Sequence, residues 1–271
     1  MGLLDPIGCG MWSLTPYDKC EFRCLYCVTR VQGASKLSRP ASDLLPDLRR
    51  RLDQVPFEEL VIIGAFSDGY PPVEEQLGIT RQVVEELIRR ERRFVIVTKG
   101  RTVLRDMDLL ARVRHRCKVQ ISISSVNDAV LRQLDPRAPS GAERFAILRT
   151  LYEAGIEVNL NALPWIPGVS ETARLIARTP PDVEIIFSPL CLGRGRDSLT
   201  LLGRRYTRAE VNRRYMAEYE RYGHIPNTSW VKPSPPPTEN DPMFRLPIRE
   251  KPSALRRGLA AVARAFDARP A

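Results

Sequence analysis

The chain has 271 residues, 43% of them hydrophobic and 27% charged, with a net charge of +10 and a pI of about 9.6. This is ordinary composition for a soluble globular protein, and the length suits one large α/β domain or two small ones. No apolar run reaches the roughly 18 residues of a membrane helix, and the start, MGLLDPIGCG, has no basic stretch followed by a long apolar core; a cytoplasmic protein with no membrane association is expected.

Residues 11–15 and a helix over 43–55 form the first strand–helix unit. ELVIIG (59–64) is a strand, and helix 80–92 follows. RFVIVT (93–98) is the next strand, with helix 105–114 behind it; in that helix Arg105, Asp106 and Asp108 read as capping residues. KVQISIS (118–124) is a strand, followed by helices at 128–134 and 141–154. EVNLNA (157–162), helix 170–178 and VEIIFS (183–188) complete six strands. Strand alternating with helix argues for parallel β/α architecture with right-handed crossovers. Beyond residue 192 the pattern changes. A basic, tyrosine-rich helix at 207–222 precedes a proline-rich stretch (225–252) with no regular element, then an amphipathic helix at 253–266. No hairpin signal is visible in 192–271. The expected organisation is a 1–192 core with a 193–271 extension covering its mouth.

Two strands carry polar residues in period 2. Gln120, Ser122 and Ser124 share one face of their strand, Asn159 and Asn161 one face of theirs, and apolar residues fill the opposite faces. A sheet covered by helices on both sides is normally apolar on both. Polar faces on neighbouring strands suggest the lumen of an open barrel that holds a polar ligand.

Half of the six cysteines fall within eight residues, Cys20-Glu-Phe-Arg-Cys24-Leu-Tyr26-Cys27. In a reducing compartment clustered cysteines are metal ligands or catalysts rather than disulfides. A structural zinc site uses four ligands, usually two separated pairs, and no second C-x-x-C or nearby histidine is present. Cys9 could complete a zinc set only as an unpatterned fourth ligand; three thiolates instead suit a [4Fe–4S] cluster with one iron open to a further ligand. Cys117 lies at the far end of its strand from such a site. Cys191 follows the strand at 183–188 on the near side, as a hydrogen donor, a ligand of an auxiliary Fe–S cluster, or a small buried side chain.

The C-x3-C-x2-C motif after the first strand, with Tyr26 before its last cysteine, resembles the signature of the radical SAM superfamily. Pro16-Tyr17, the 67–74 segment (Ser-Asp-Gly-Tyr-Pro-Pro-Val-Glu), Thr98-Lys99, 105–110, 134–139 (Leu-Asp-Pro-Arg-Ala-Pro) and Pro164-Trp-Ile-Pro-Gly168 are similar to the spore photoproduct lyase-like branch over about residues 10–170. The resemblance implies a partial (β/α)6 TIM-like barrel, S-adenosylmethionine (SAM) as co-substrate and a flavodoxin- or ferredoxin-type reductant. It implies the cluster on Cys20, Cys24 and Cys27, and SAM contacts from Tyr26, Ser67, Asp68, Glu74, Lys99, Ser122, Ser124 and Asn161. The repair lyases place a donor cysteine beyond their second barrel strand, where this chain reads Ala-Phe-Ser-Asp-Gly-Tyr.

The favoured function is therefore hydrogen abstraction from a small anionic metabolite, such as a nucleotide or sugar nucleotide, bound by Arg194, Arg196, Arg204 and Arg205. The alternatives are nucleic-acid lesion repair, which a C-terminal β-hairpin would favour, and a non-enzymatic metal-binding module.

Overall fold

A computed structural model describes residues 2–8, 10–18, 20–27, 44–192, 196–231 and 233. Cys9, Arg194, the proline-rich run from 234 onward and the 253–266 helix lie outside the described residues.

Strand β1 (Leu4–Gly8) runs antiparallel to β2 (Met11–Leu14), and α1 (Leu44–Leu52) returns the chain to β3 (Leu60–Ile63). A short α2 (Glu74–Leu77) and α3 (Ile79–Arg89) lead to β4 (Phe94–Thr98). A 3-10 turn (Arg101–Asp106) and α4 (Met107–Arg112) precede β5 (Cys117–Ser122); α5 (Asp128–Leu134) and α6 (Gly141–Glu153) precede β6 (Val158–Trp165); α7 (Thr172–Arg178) precedes β7 (Glu184–Pro189). The sequence reading located these six parallel strands and their helices to within a few residues. Beyond β7 come β8 (Ser198–Leu201), β9 (Arg204–Thr207), α8 (Arg208–Tyr222) and β10 (Thr228–Trp230). One eight-stranded open sheet has the order β1-β2-β3-β4-β5-β6-β7-β10, parallel from β2 onward. It is a partial barrel with two edges rather than a closed one.

Three expectations need correction. β8 and β9 form an antiparallel hairpin where none was expected. Its turn puts Leu202 at φ 53° and Gly203 at φ 75°, a left-handed pair usually written Asn-Gly or Asp-Gly, so the sequence signal was absent. Residues 228–230, expected to be irregular, pair in parallel with β7. That strand is short, but Trp230 stacks on Phe187 with ring centroids 4.4 Å apart, and Tyr215 packs against it from α8. β1 was also missed; its Asp-Pro pair breaks the strand pattern, yet it pairs along β2.

The two faces of the sheet differ as the period-2 pattern anticipates. The outer face, with Val61, Ile63, Phe94, Ile96, Val119, Ile121, Leu160 and Ile185, packs with the helices in one large apolar core. The inner face is divided. Ile7, Met11, Leu60, Ile62, Val95 and Ile186 form a small apolar cluster, mostly toward β1–β4. On β5–β7 the register aligns Gln120 with Asn159 and Glu184, and Ser122 with Asn161. These five side chains are buried or partly buried.

Candidate functional site

The cysteine loop leaves the C-terminal end of β2. Its entry is fixed by Tyr17, fully buried, whose hydroxyl donates to the Glu74 carboxylate. Its body is stitched to the end of α5. The Leu25 amide donates to the Leu134 carbonyl (2.8 Å) and the Arg137 amide to the Phe22 carbonyl (3.4 Å). The Val73 amide bonds the Glu21 carboxylate at 2.8 Å, tying in the 67–74 segment. Arg23 adopts φ 54°, a left-handed residue between Cys20 and Cys24, and the Cys27 amide closes a turn on the Cys24 carbonyl (3.2 Å). Phe22, Cys24 and Tyr26 pack with Leu134, Ile166, Leu190, Leu192, and Leu201 and Tyr206 of the hairpin. The hairpin thus lies against the loop, giving the thiols a largely apolar setting.

That setting disfavours free thiolates. Burial pushes the Cys20 thiol up to about 12 and Asp68 adds to the push; the amides of Phe22 and Asp68 and the charge of Lys99 act the other way. Burial likewise raises Cys24, with the Lys99 charge opposing it. Half-buried Lys99 has its ammonium 5.7 Å from the centre of the Tyr26 ring. Although burial works against its charge, Cys24, Asp135 and Asp68 raise its pKa above the ordinary lysine value.

The 67–74 segment is held by its own acidic groups. Asp68 accepts from Thr98 Oγ1 (2.6 Å), the Lys99 amide (2.8 Å) and the Tyr70 amide (2.9 Å), locking the ends of β3 and β4 together. Glu74, fully buried, accepts from Tyr17, the Thr80 amide (2.8 Å) and Arg105. Asp106 stands at the N-cap position of α4 as expected, but its side chain makes no capping bond. Asp106 is fully buried and accepts from the Tyr70 hydroxyl (3.0 Å), Arg81 (3.0 Å) and Arg105 (2.8 Å), while Asp108 pairs with Arg81 at 2.9 Å. A buried carboxylate takes cationic partners in preference to a cap role that would leave it short of donors.

On the inner wall, Ser122 and Asn161 are about 95% buried, and the Ser122 carbonyl accepts from Arg144 at 3.2 Å. The hydroxyls of Ser13, Ser67, Ser124 and Ser188, both amide atoms of Gln120 and Oδ1 of Asn159 are buried without a protein partner. Each such group costs about 1–3 kcal/mol. A wall that carries several of them is built for something other than packing.

The residues fit an iron–sulfur cluster better than a single ion. Cys20, Cys24 and Cys27 lie on one loop, none of them in a disulfide. Among the described residues no three Cys, His, Asp or Glu side chains converge to chelate one metal ion. A cluster takes each thiolate on a separate iron, so its ligands stand apart. The profile of the radical SAM superfamily matches residues 14–177, well over half of the chain.

This chain belongs to the radical SAM superfamily.

The superfamily uses a [4Fe–4S] cluster and SAM. Relatives include an uncharacterised protein of Methanocaldococcus jannaschii, 28% identical over 176 residues (63% of this chain and 66% of that one), and an uncharacterised protein of Acidianus two-tailed virus, 26% identical over 51% of this chain and 48% of its own. The chain spans between about half and two thirds of these relatives. In structure it is similar to Streptococcus suis SuiB bound to S-adenosylmethionine (TM-score 0.61, 14% identity, 85% of this chain and 51% of SuiB). It is also similar to spore photoproduct lyase complexed with a dinucleoside spore photoproduct (TM-score 0.57, 15% identity, 81% of this chain and 75% of the lyase). Both likenesses concern the fold.

Within this radical SAM frame the structure brings Cys20, Cys24, Tyr26, Asp68 and Lys99 together at the C-terminal edge of the sheet. Among the described residues it does not gather the arginines. Arg204 lies on the hairpin face that carries Leu201 and Tyr206, over the Tyr206 ring (5.0 Å) and paired with Glu210. Arg205 is on the other face, donating to Ser198 at 3.1 Å, and Arg196 is exposed. Cys191 is exposed between buried Leu190 and Leu192, which removes the reading of a small buried side chain. Sequence reasoning gave no role to Asp135 and Arg144, a fully buried ion pair (2.7 Å) beside the cysteine loop. Arg144 stood in the sequence at a core position of α6, in step with Ile147, Leu148 and Leu151, and an arginine in an apolar stripe was the available signal.

Proposed function

We propose that this chain binds a [4Fe–4S] cluster through Cys20, Cys24 and Cys27, cleaves SAM reductively and abstracts hydrogen from a small anionic metabolite. The observation that carries this reading is the loop of three cysteines, none in a disulfide, at the C-terminal edge of an open parallel sheet with a polar inner wall, where barrel enzymes place their sites. Held by Cys20, Cys24 and Cys27, a cluster there would supply the electron for reductive cleavage of SAM.

The chain's own residues have separable tasks. Lys99 presents a charge suited to the SAM carboxylate. The 67–74 segment, pinned by Asp68 and Glu74, offers its backbone carbonyls to the SAM amino group, and Tyr26 packs near the adenine. Ser122, Ser124 and Asn161 line the wall available to the ribose and adenine. Exposed Arg196 and Arg205, with the +10 net charge, support an anionic substrate.

The hairpin favours a second reading, nucleic-acid lesion repair, and spore photoproduct lyase shares the fold. Two features support the metabolite reading over it. Leu201 and Tyr206 of the hairpin are buried against the cysteine loop rather than free to wedge a duplex, and the 65–70 loop has no donor cysteine. The test is anaerobic reconstitution followed by incubation with SAM, dithionite and fractionated cell extract. Expected are about four irons per chain, 5′-deoxyadenosine, and a mass change in the small-molecule fraction. A mass change only in the nucleic-acid fraction decides for repair; Cys20→Ala, Cys24→Ala or Cys27→Ala protein that still makes 5′-deoxyadenosine overturns the cluster assignment.

A further inference from the structure

Asp135 and Arg144 form an ion pair with no exposure on either side chain. Buried pairs of this kind are often no more stabilising than apolar residues of the same shape, so their role has to be sought in what surrounds them. Arg144 is pinned from three directions: by the Asp135 carboxylate (2.7 Å), the Pro139 carbonyl (2.7 Å) and the Ser122 carbonyl (3.2 Å). Asp135 stands between the two points where the cysteine loop is sewn to this segment, Leu134 to Leu25 and Arg137 to Phe22. Those points bracket Cys24. The side chains of Cys24 and Tyr26 both meet the Asp135 carboxylate in hydrogen-bond contact, and the Lys99 charge lies within electrostatic reach of it.

We propose that Asp135, braced by Arg144, is the positioning residue of the cluster loop: it fixes Cys24 and Tyr26 in place and holds down the reduction potential of the cluster. The inference rests on the reading that Cys24 is a cluster ligand. The sign follows from charge. Reduction adds an electron beside Cys24, and a carboxylate in a dry pocket opposes it. The carboxylate acts on Cys24 directly. Taking away the negative charge while keeping the shape leaves Lys99 and Arg144 unopposed and makes reduction easier.

The experiment is an EPR-monitored redox titration of reconstituted wild type and Asp135→Asn, with iron counted in both. The variant is expected to keep its iron, to show an altered EPR spectrum, and to titrate at least about 59 mV more positive, a tenfold change for a one-electron couple. If Asp135→Asn does not fold, the neutral pair Asp135→Asn/Arg144→Gln takes its place, with a smaller shift of the same sign. Full iron with an unchanged potential and an unchanged spectrum overturns the proposal and leaves Asp135 as a structural residue. That result is distinct from failure of the ligand reading, which shows instead as Cys24→Ala protein retaining its cluster.

Discussion

Gly100→Ala tests whether the 67–74 segment must sit where the structure puts it. Gly100 follows β4 and has φ −74° and ψ 134°, which alanine adopts freely, so backbone strain does not enter. Space does. A Cβ there would stand 2.1 Å from the Tyr70 carbonyl oxygen and 3.1 Å from its carbon, against 3.4–4 Å for ordinary contact. The loop would have to retreat by more than an ångström. It is held by the Tyr70 hydroxyl on Asp106 (3.0 Å), the Tyr70 amide on Asp68 (2.9 Å) and Thr98 on Asp68 (2.6 Å), and Tyr70 is fully buried. Overpacking of this kind costs about 1–3 kcal/mol, and each kcal/mol lowers Tm by about 2–4 °C at this size. A shift of about 1 Å in a positioning loop costs on the order of 100-fold in rate, so SAM cleavage per bound cluster should fall far more than stability. Thermal melting of the cluster-free chain and 5′-deoxyadenosine formation measure the two effects. Gly78→Ala is the control. Gly78 has φ 61° with nothing within 4 Å of the added carbon, so it should lose about 1–2 kcal/mol from backbone strain and leave cleavage per cluster unchanged. Wild-type melting and cleavage in Gly100→Ala would refute the argument.

Lys99→Ala should weaken SAM binding by about tenfold or more, since a charge-assisted hydrogen bond contributes about 1.5–3 kcal/mol; equal affinity with iron retained places Lys99 outside the SAM site. Cys191→Ser should lower product while 5′-deoxyadenosine continues to form, with iron unchanged if the thiol is a hydrogen donor and reduced if it ligates an auxiliary cluster; full turnover removes both roles. Glu86 gives a pH test away from the site. Burial pushes its carboxyl up, but hydrogen bonds from Arg89, Arg90 and Arg49 outweigh this and hold it at about 2, against an ordinary 4.5. A depressed carboxyl contributes stability above about pH 4.5 that is lost as the pH falls toward 2. The difference in Tm between wild type and Glu86→Gln should therefore shrink over that window, and a constant difference would show that Glu86 does not carry the acid response.

The residues that bear on chemistry were legible wherever the signal was local. Cys20, Cys24 and Cys27 announce themselves by spacing alone. The inner wall was visible in the alternation of Gln120, Ser122 and Ser124 with Ile121 and Ile123, because a strand sends successive side chains to opposite faces whatever the rest of the fold does. What stayed hidden depends on segments far apart in the chain. Asp106 holds the helix N-cap position that the sequence suggested, but its side chain turns to Tyr70, Arg81 and Arg105. Thr228–Trp230 is a strand because Phe187 and Tyr215 stack around Trp230, not because three residues prefer to be extended. Arg204 and Arg205 are adjacent in sequence, yet the pairing of β8 with β9 sends them to opposite faces, so their arginine content could be counted in advance but not their grouping. Asp135 meets Arg144 and the cysteine loop only once α5 and α6 have packed on the sheet. The sequence by itself determined the cluster motif, the parallel alternation of strands with helices and the polarity of the inner face. The tertiary structure alone decided which charges meet, since a buried carboxylate takes the nearest cation in space and the chain order carries no record of that distance.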